Sequence, residues 1–101
     1  MKTKTIEALK ELSHLIQENK DELYNIDTRG EILDKIQSVY SEDVVHYTTQ
    51  TLISDEEHKF FESVRKVLNI LIHDLMINNQ NPDIGLKMCS DIGLILAIYD
   101  E

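Results

Sequence analysis

The chain has 101 residues, of which 42% are hydrophobic, so it is long enough for one packed domain and too short for two. Its 19 acidic residues outnumber its 10 lysines and arginines, and the net charge of −9 argues against binding to nucleic acids or to anionic membranes. The single cysteine excludes an intramolecular disulfide and favours a reducing compartment.

The N-terminus lacks the pattern of a secretory signal, because Glu7, Lys10 and Glu11 interrupt it before any long apolar stretch. The longest apolar stretches, 67–77 and 92–99, are shorter than the roughly 20 residues that a membrane-spanning helix needs. We therefore expect one cytoplasmic domain covering residues 1–101, with no direct insertion into a membrane.

The first predicted helix covers about residues 5–24. Its apolar side chains recur at steps of three, four and seven, which places them on one helix face: Ile6, Leu9, Leu12, Ile16 and Leu23.

The second helix is predicted to start where Thr28 is followed three residues later by Glu31, which is the capping-box pattern. Apolar residues at helical steps continue to about Thr49, with a kink near Ser41: Ile32, Leu33, Ile36, Val39, Tyr40, Val44 and Tyr47. A small strand or an extended loop over residues 40–53 is the alternative, because the run at 47–51 contains poor helix formers.

The third helix is predicted to begin with a second capping box, in which Ser54 precedes Glu57 and acids fill the first turn. Its apolar stripe covers about six turns and ends before residues 78–81: Phe60, Phe61, Val64, Val67, Leu68, Leu71, Ile72, Leu75 and Met76. Asn81 followed by Pro82 predicts the start of the fourth helix, with the proline at its first position. The core of that helix is predicted to contain Ile84, Met88, Ile92, Ile95, Leu96 and Tyr99.

Four amphipathic helices with short connections predict an all-α fold, an antiparallel up-down four-helix bundle. Gly85, Cys89 and Gly93 recur every fourth position of the fourth helix, which would let a neighbouring helix approach closely along that face. We interpret Cys89 as a small packing residue rather than a reactive one.

The histidines are weak candidates for metal ligands. Asp43 lies one turn before His46, and Asp55 lies one turn before His58, but no inward carboxylates complete a di-metal pattern. His14 and His73 flank apolar stripes and are interpreted as boundary residues. Without a phosphate-binding loop or a pair of buried carboxylates, the sequence predicts a protein that is not an enzyme and that binds no cofactor or metal.

The fourth helix contains more apolar residues than one core stripe needs, since Leu86, Leu94 and Ile98 lie off that stripe. Deeper burial, homodimerisation through this helix and an apolar surface for a protein partner all remain open as explanations. We take Leu86, Leu94, Ile98, Tyr99 and Asp100 as the candidate partner-binding residues, with the polar tip of Tyr99 suited to an interface rim.

Residues 53–61, Ile-Ser-Asp-Glu-Glu-His-Lys-Phe-Phe, and residues 90–94, Ser-Asp-Ile-Gly-Leu, carry a family resemblance that extends in pattern over most of the chain. The chain resembles the immunity proteins of class II bacteriocins of Gram-positive bacteria, of the enterocin A immunity type. The resemblance implies a cytosolic four-helix bundle that protects the producing cell from its own pore-forming peptide. It also implies binding to the peptide's membrane receptor complex, with specificity in the C-terminal half.

Charge provides a competing hypothesis. Many members of that family are basic, whereas residues 21–62 of this chain contain eleven acidic residues and only three basic ones. Such a segment is usually a solvated face that maintains solubility, but it can also attract a basic partner. The alternative function is therefore an acidic inhibitor or antitoxin, including a phage-encoded one, that neutralises a basic protein.

Overall fold

Four α-helices make up most of the computed structural model, which describes residues 2–45 and 54–100. They are α1 (Lys2–Glu18), α2 (Ile26–Val39), α3 (Asp55–Ile77) and α4 (Ile84–Tyr99), and a π-helical segment, Tyr40–Val45, continues α2. No strand occurs in these two ranges. The predicted all-α class is confirmed.

The helices pack in a ring in which α1 contacts α2 and α4, and α3 contacts the same two helices. Contacts at both ends of α4 show its direction. Its start lies against the end of α1, at Gly85 and Lys20, and against the end of α3, where Lys87 Nζ is 2.8 Å from Asp74 Oδ2. Its other end lies against the middle of α1, where Asp100 Oδ2 is 3.0 Å from Lys10 Nζ, and against the start of α3, where Tyr99 meets Phe60. The helix α4 is therefore antiparallel to both α1 and α3, as in an up-down bundle, and the molecule measures 42 × 23 × 19 Å.

The core runs along the axis of this bundle and receives apolar side chains from every helix. Phe60 is fully buried near one end of the bundle. Its ring lies edge-on to two others, with centroid distances of 5.0 Å to Phe61 and 5.1 Å to Tyr99. The other buried hydrophobic residues are Ile6, Leu9, Leu12, Ile16, Leu23, Ile32, Ile36, Val39, Val44, Val64, Leu68, Leu71, Leu75, Ile84, Met88, Ile92 and Ile95. Met76 was predicted to belong to this stripe but is 57% exposed, because the last turn of α3 directs it away from the neighbouring helices.

The first helix is shorter than predicted, ending at Glu18 rather than near residue 24. Asn19 ends it: its backbone N–H donates to the Ile16 carbonyl at 3.2 Å, and its Nδ2 donates to the Leu15 carbonyl at 2.9 Å. Asparagine competes well for such local bonds and so favours helix ends. A series of turns follows, and Leu23 reaches the core from this connection rather than from a helix.

The start of α2 also differs from the prediction, because Asn25 rather than Thr28 is its N-cap. The Asn25 Oδ1 accepts bonds from the backbone N–H groups of Asp27 at 2.9 Å and Thr28 at 3.3 Å. The predicted capping box therefore lies inside the helix. Because the helix begins three residues earlier, the N–H groups of Gly30 and Glu31 that Thr28 would have capped lie beyond the first turn and bond to carbonyls within the helix.

The end of the second helix is partly described. The α-helical pattern changes at Tyr40, next to the predicted kink at Ser41, and becomes π-helical up to Val45. Residues 40–45 are thus helical rather than extended. The remaining part of the prediction, a helix to Thr49 or a strand through residue 53, lies outside the described residues.

The start of α3 agrees with the prediction, whereas the start of α4 does not. Ser54 Oγ accepts a bond from the Glu57 N–H at 3.2 Å, and Asp55, Glu56 and Glu57 fill the first turn. In contrast, α4 begins at Ile84. The Asn81 Oδ1 accepts a bond from the Asp83 N–H at 3.0 Å, which holds residues 81–83 in a turn, so Pro82 precedes the helix instead of starting it.

The predicted close approach along α4 occurs at one of its two glycines. A Cβ at Gly85 would lie 2.8 Å from Lys20 Cβ and 3.2 Å from Lys20 Cα, so the connection after α1 passes directly over it. A Cβ at Gly93 would meet no atom within 4 Å, so that prediction was wrong for Gly93. Cys89 is half-buried, and its Sγ lies 3.5 Å from the Ser13 carbonyl oxygen, which agrees with a packing role.

Candidate functional site

Three large apolar side chains of α4 are exposed: Leu86 is 56% exposed, Leu94 is 64% exposed and Ile98 is 68% exposed. Between them along the helix lie the exposed residues Lys87, Ser90, Gly93 and Ala97. We call the surface formed by the six uncharged residues of this set the α4 face: Leu86, Ser90, Gly93, Leu94, Ala97 and Ile98. Burial of the extra apolar residues of α4 in the bundle is therefore excluded as their explanation.

The α4 face follows from the position of α4 in the ring. Its buried side consists of Ile84, Met88, Ile92 and Ile95, which repeat at steps of three and four and fill the core between α1 and α3. Leu86 and Leu94 follow Ile84 and Ile92 by two residues, which is more than half a turn, and so they point outward. The outward side of this helix therefore exposes three large apolar side chains beside Ser90 and the Lys87–Asp91 ion pair.

The other two candidate residues contribute to the fold instead of to this face. Tyr99 is half-buried, with its ring against Phe60. Asp100 bonds Lys10 at 3.0 Å, and this hydrogen bond and its negative charge raise the pKa of Lys10 above its ordinary value. Both residues fix the end of α4 against its neighbours. Of the five candidate residues, Leu86, Leu94 and Ile98 are therefore exposed on one side of α4. Tyr99 and Asp100 instead contact neighbouring helices.

Charges beside the α4 face are compensated within the protein. Lys87 Nζ lies 2.8 Å from Oδ2 of the buried Asp74 and 3.0 Å from Asp91 Oδ2. These two carboxylates raise the pKa of Lys87, with the bond to Asp74 as the largest cause. The Asn78 Nδ2 also donates to Asp74 Oδ1 at 3.3 Å, so both carboxylate oxygens of the buried Asp74 are bonded.

The acidic residues lie mainly on α2 and at the start of α3. Among the described part of residues 21–62, the exposed acids are Asp21, Glu22, Asp27, Glu31, Asp34, Glu42, Asp55 and Glu56. Lys35 on the same helix is engaged with Glu11 at 2.8 Å and lowers the pKa of that carboxyl group. The acids of α2 lie on a helix that does not neighbour α4 in the ring, whereas Asp55 and Glu56 begin the helix whose Phe60 contacts Tyr99.

The histidines do not form a metal site within residues 2–45 and 54–100, where no three His, Cys, Asp or Glu side chains are close enough to share an ion. His58 and His73 are exposed, and His14 Nε2 lies 2.7 Å from Glu18 Oε1 on the surface of α1. His46 and the side chain of Asp43 lie outside the described part, so the predicted arrangement around His46 stays untested.

Sequence reasoning missed a second group of exposed apolar residues, at the end of the bundle where α2 begins and α3 ends. Tyr24, Ile26, Met76 and Ile77 are 57–73% exposed there. The only signal in the sequence for these exposed residues is the apolar Ile26 directly after the helix cap Asn25.

A shallow cavity of about 180 Å³ lies beside this group, between the α1–α2 and α3–α4 connections, and is lined in part by Tyr24. A larger groove of about 450 Å³ lies between α2 and α3, lined by Gln37, Tyr40, Ser41, Asn69 and Ile72.

None of the helices in the described ranges is long and apolar enough to cross a lipid bilayer. Comparisons of the chain with protein-family models, with curated proteins and with solved structures found no match.

Proposed function

We propose that this protein is a bacteriocin immunity protein, which protects the cell that produces a class II pore-forming peptide. The observation that carries the proposal is the α4 face, an exposed apolar surface on the last helix of a four-helix bundle. The resemblance described above implies this architecture and a recognition surface in this half of the chain. The protein would be non-catalytic and would act in the cytoplasm.

Protection at the α4 face would proceed by protein–protein interaction with the membrane receptor complex of the peptide. Leu86, Leu94 and Ile98 are 56–68% exposed, so burying the exposed part of each contributes roughly 1–2 kcal/mol before the costs of association. A stable complex would therefore need further contacts around the α4 face. The buried side chains of Ile84, Met88, Ile92 and Ile95 hold α4 against α1 and α3, so the face is preorganised before a partner binds.

The exposed acids on α2 favour a second candidate function, an inhibitor that neutralises a basic partner. The two candidates differ in their dependence on salt. Binding through Glu31, Asp34 and Glu42 would weaken as salt screens the charges, whereas binding through Leu86, Leu94 and Ile98 would not.

The proposed function is tested by expressing the chain in a Gram-positive strain that is sensitive to class II bacteriocins. We expect the minimal inhibitory concentration of at least one purified class II peptide to rise by tenfold or more relative to the empty vector. A pore-forming antibiotic unrelated to these peptides is the control, and its inhibitory concentration should not change. Unchanged sensitivity to a broad panel of class II peptides, with the protein present and folded in the cells, would contradict the proposal.

A further inference from the structure

We propose that the ion pair between Asp74 of α3 and Lys87 of α4 selects the rotation of α4 about its own axis, and so determines which side of this helix faces the core. The inference goes beyond the proposed function and does not depend on it, because it concerns the packing of α4 within the bundle. The buried hydrophobic residues stabilise α4 in the ring, and the ion pair selects one of the rotations that they allow.

The apolar residues of α4 specify its rotation only weakly. Of the 16 residues in this helix, Lys87, Ser90 and Asp91 are the only ones that are neither hydrophobic nor glycine. Large apolar side chains therefore lie on the exposed side of α4 as well as on its buried side. A helix that is apolar on several sides can bury more than one of them, so hydrophobic burial alone is a poor selector of one rotation.

Contacts with the two neighbouring helices mark the edges of the buried side of α4. At the edge beside α3, Lys87 Nζ lies 2.8 Å from Asp74 Oδ2. At the edge beside α1, Cys89 Sγ lies 3.5 Å from the Ser13 carbonyl oxygen. The helix could turn about its axis in either direction, and each turn would bring one of these edges into the core.

A turn that brings the α3 edge into the core is opposed by charges on α4 itself. It would take Lys87 and Asp91 out of water, although their side chains are now 51% and 24% exposed. Burying charged groups is costly even when they are paired. This direction is therefore unfavourable without any contribution from Asp74.

A turn that brings the α1 edge into the core meets no such charge on α4. Gly85, Cys89 and Gly93 follow this edge at every fourth position, and none of them is charged. The same turn would, however, carry Lys87 away from α3. Its cost therefore depends on what Lys87 leaves behind.

Lys87 would leave a buried carboxylate. Asp74 is 4% exposed and is the only buried residue with a charged side chain in residues 2–45 and 54–100. Its Oδ2 accepts a bond from Lys87 Nζ, and its Oδ1 accepts one from Asn78 Nδ2 at 3.3 Å. Without Lys87, the carboxylate would keep only the neutral Asn78 amide among its partners in the described residues, and a buried charge that loses its partner is strongly destabilising. The pair thus penalises the wrong rotation, as a single buried polar residue fixes the register of a coiled coil.

The test compares double variants of the full chain labelled with ¹⁵N. Asp74→Asn with Lys87→Met removes both charges and nearly retains the size of both side chains. We expect this variant to stay folded, with a thermal midpoint within about 5 °C of that of the unmodified chain, because replacing a buried ion pair by uncharged groups is often neutral. The amides of residues 84–99 should nevertheless show exchange broadening, or a second set of signals with at least about 10% of the intensity.

Lys10→Met with Asp100→Asn is the matched control, because it makes the same two changes in another ion pair of α4. Those side chains are 44% and 35% exposed, so no buried charge depends on them, and each amide of α4 should keep one sharp signal. Lys87→Arg retains a cation beside Asp74 and should also keep one signal for each amide.

A single sharp set of α4 signals in Asp74→Asn with Lys87→Met would overturn the inference, because apolar packing alone would then select the rotation. An equally intense second set in the control double variant would also overturn it, since loss of an exposed ion pair would then have the same effect. An unfolded Asp74→Asn, Lys87→Met protein would overturn it as well, because the pair would then be required for folding rather than for the choice of rotation.

Discussion

Replacing Phe60 with alanine is expected to lower the free energy of unfolding by about 4 kcal/mol, because it leaves a large cavity in the core. Phe60 is fully buried and lies edge-on to the rings of both Phe61 and Tyr99. The loss would be a large part of the roughly 5–15 kcal/mol that holds a domain of this kind together. It would also remove the contact that fixes the end of α4.

Urea unfolding followed by circular dichroism at 222 nm would measure this effect. Phe60→Leu is the control, since it retains most of the buried volume and should cost much less than the alanine variant. A loss below about 1 kcal/mol for Phe60→Ala would mean that the core is not packed around this ring as described.

Replacing Gly85 with leucine is expected to lower the free energy of unfolding by about 2–3 kcal/mol. The new Cβ would overlap Lys20 Cβ at 2.8 Å and approach Lys20 Cα at 3.2 Å, so the backbone of the α1–α2 connection must shift. This cost exceeds the roughly 0.8 kcal/mol that leucine gains over glycine in helix propensity.

Gly93→Leu is the matched control for this prediction, because it makes the same change eight residues later in the same helix. Its Cβ meets nothing, so it should leave stability unchanged or raise it by about 0.5–1 kcal/mol. The measurement is the thermal unfolding midpoint of each variant relative to that of the unmodified chain. Shifts of the same sign and size would refute the difference in packing.

The interiors of the helices could be predicted from the sequence, whereas their ends could not. Side chains such as Leu9, Ile36 and Leu68 repeat at helical steps, and burial in the bundle follows from that repeat alone. The start of α2 depends instead on whether Asn25 or Thr28 caps the helix, which would place its first turn three residues apart. Both residue types are good caps, so only the folded geometry selects one.

The candidate site was harder to predict, because the surroundings of each residue depend on segments that are distant in sequence. Gly85 and Gly93 have the same residue type and a shared helix face, yet only Gly85 lies under another segment. The bond from Lys87 to Asp74 joins two helices and depends on their relative rotation, which residue spacing does not specify. Residue spacing alone predicted that Leu86, Leu94 and Ile98 lie off the core stripe. Whether they are exposed depends on which helices neighbour α4, and spacing does not specify that.

Net charge was a poor guide to the surface for a related reason. The value of −9 describes the whole chain, but no exposed acid lies between Leu86 and Ile98, and several exposed acids lie on α2, which does not neighbour α4 in the ring. A protein can thus be strongly acidic and still expose apolar side chains along one helix. Arguments about partners therefore need the charge of each face.

The central claim, that the α4 face performs the protective function, is tested most directly by the protection conferred by Leu94→Lys. Ile26→Lys is the matched control, because it places the same charge at a similarly exposed apolar position, 73% against 64%, at a distance from α4. We predict that cells expressing Leu94→Lys become as sensitive to the peptide as cells with the empty vector, while Ile26→Lys still protects. Full protection by a folded Leu94→Lys protein would show that the α4 face is not the protective surface.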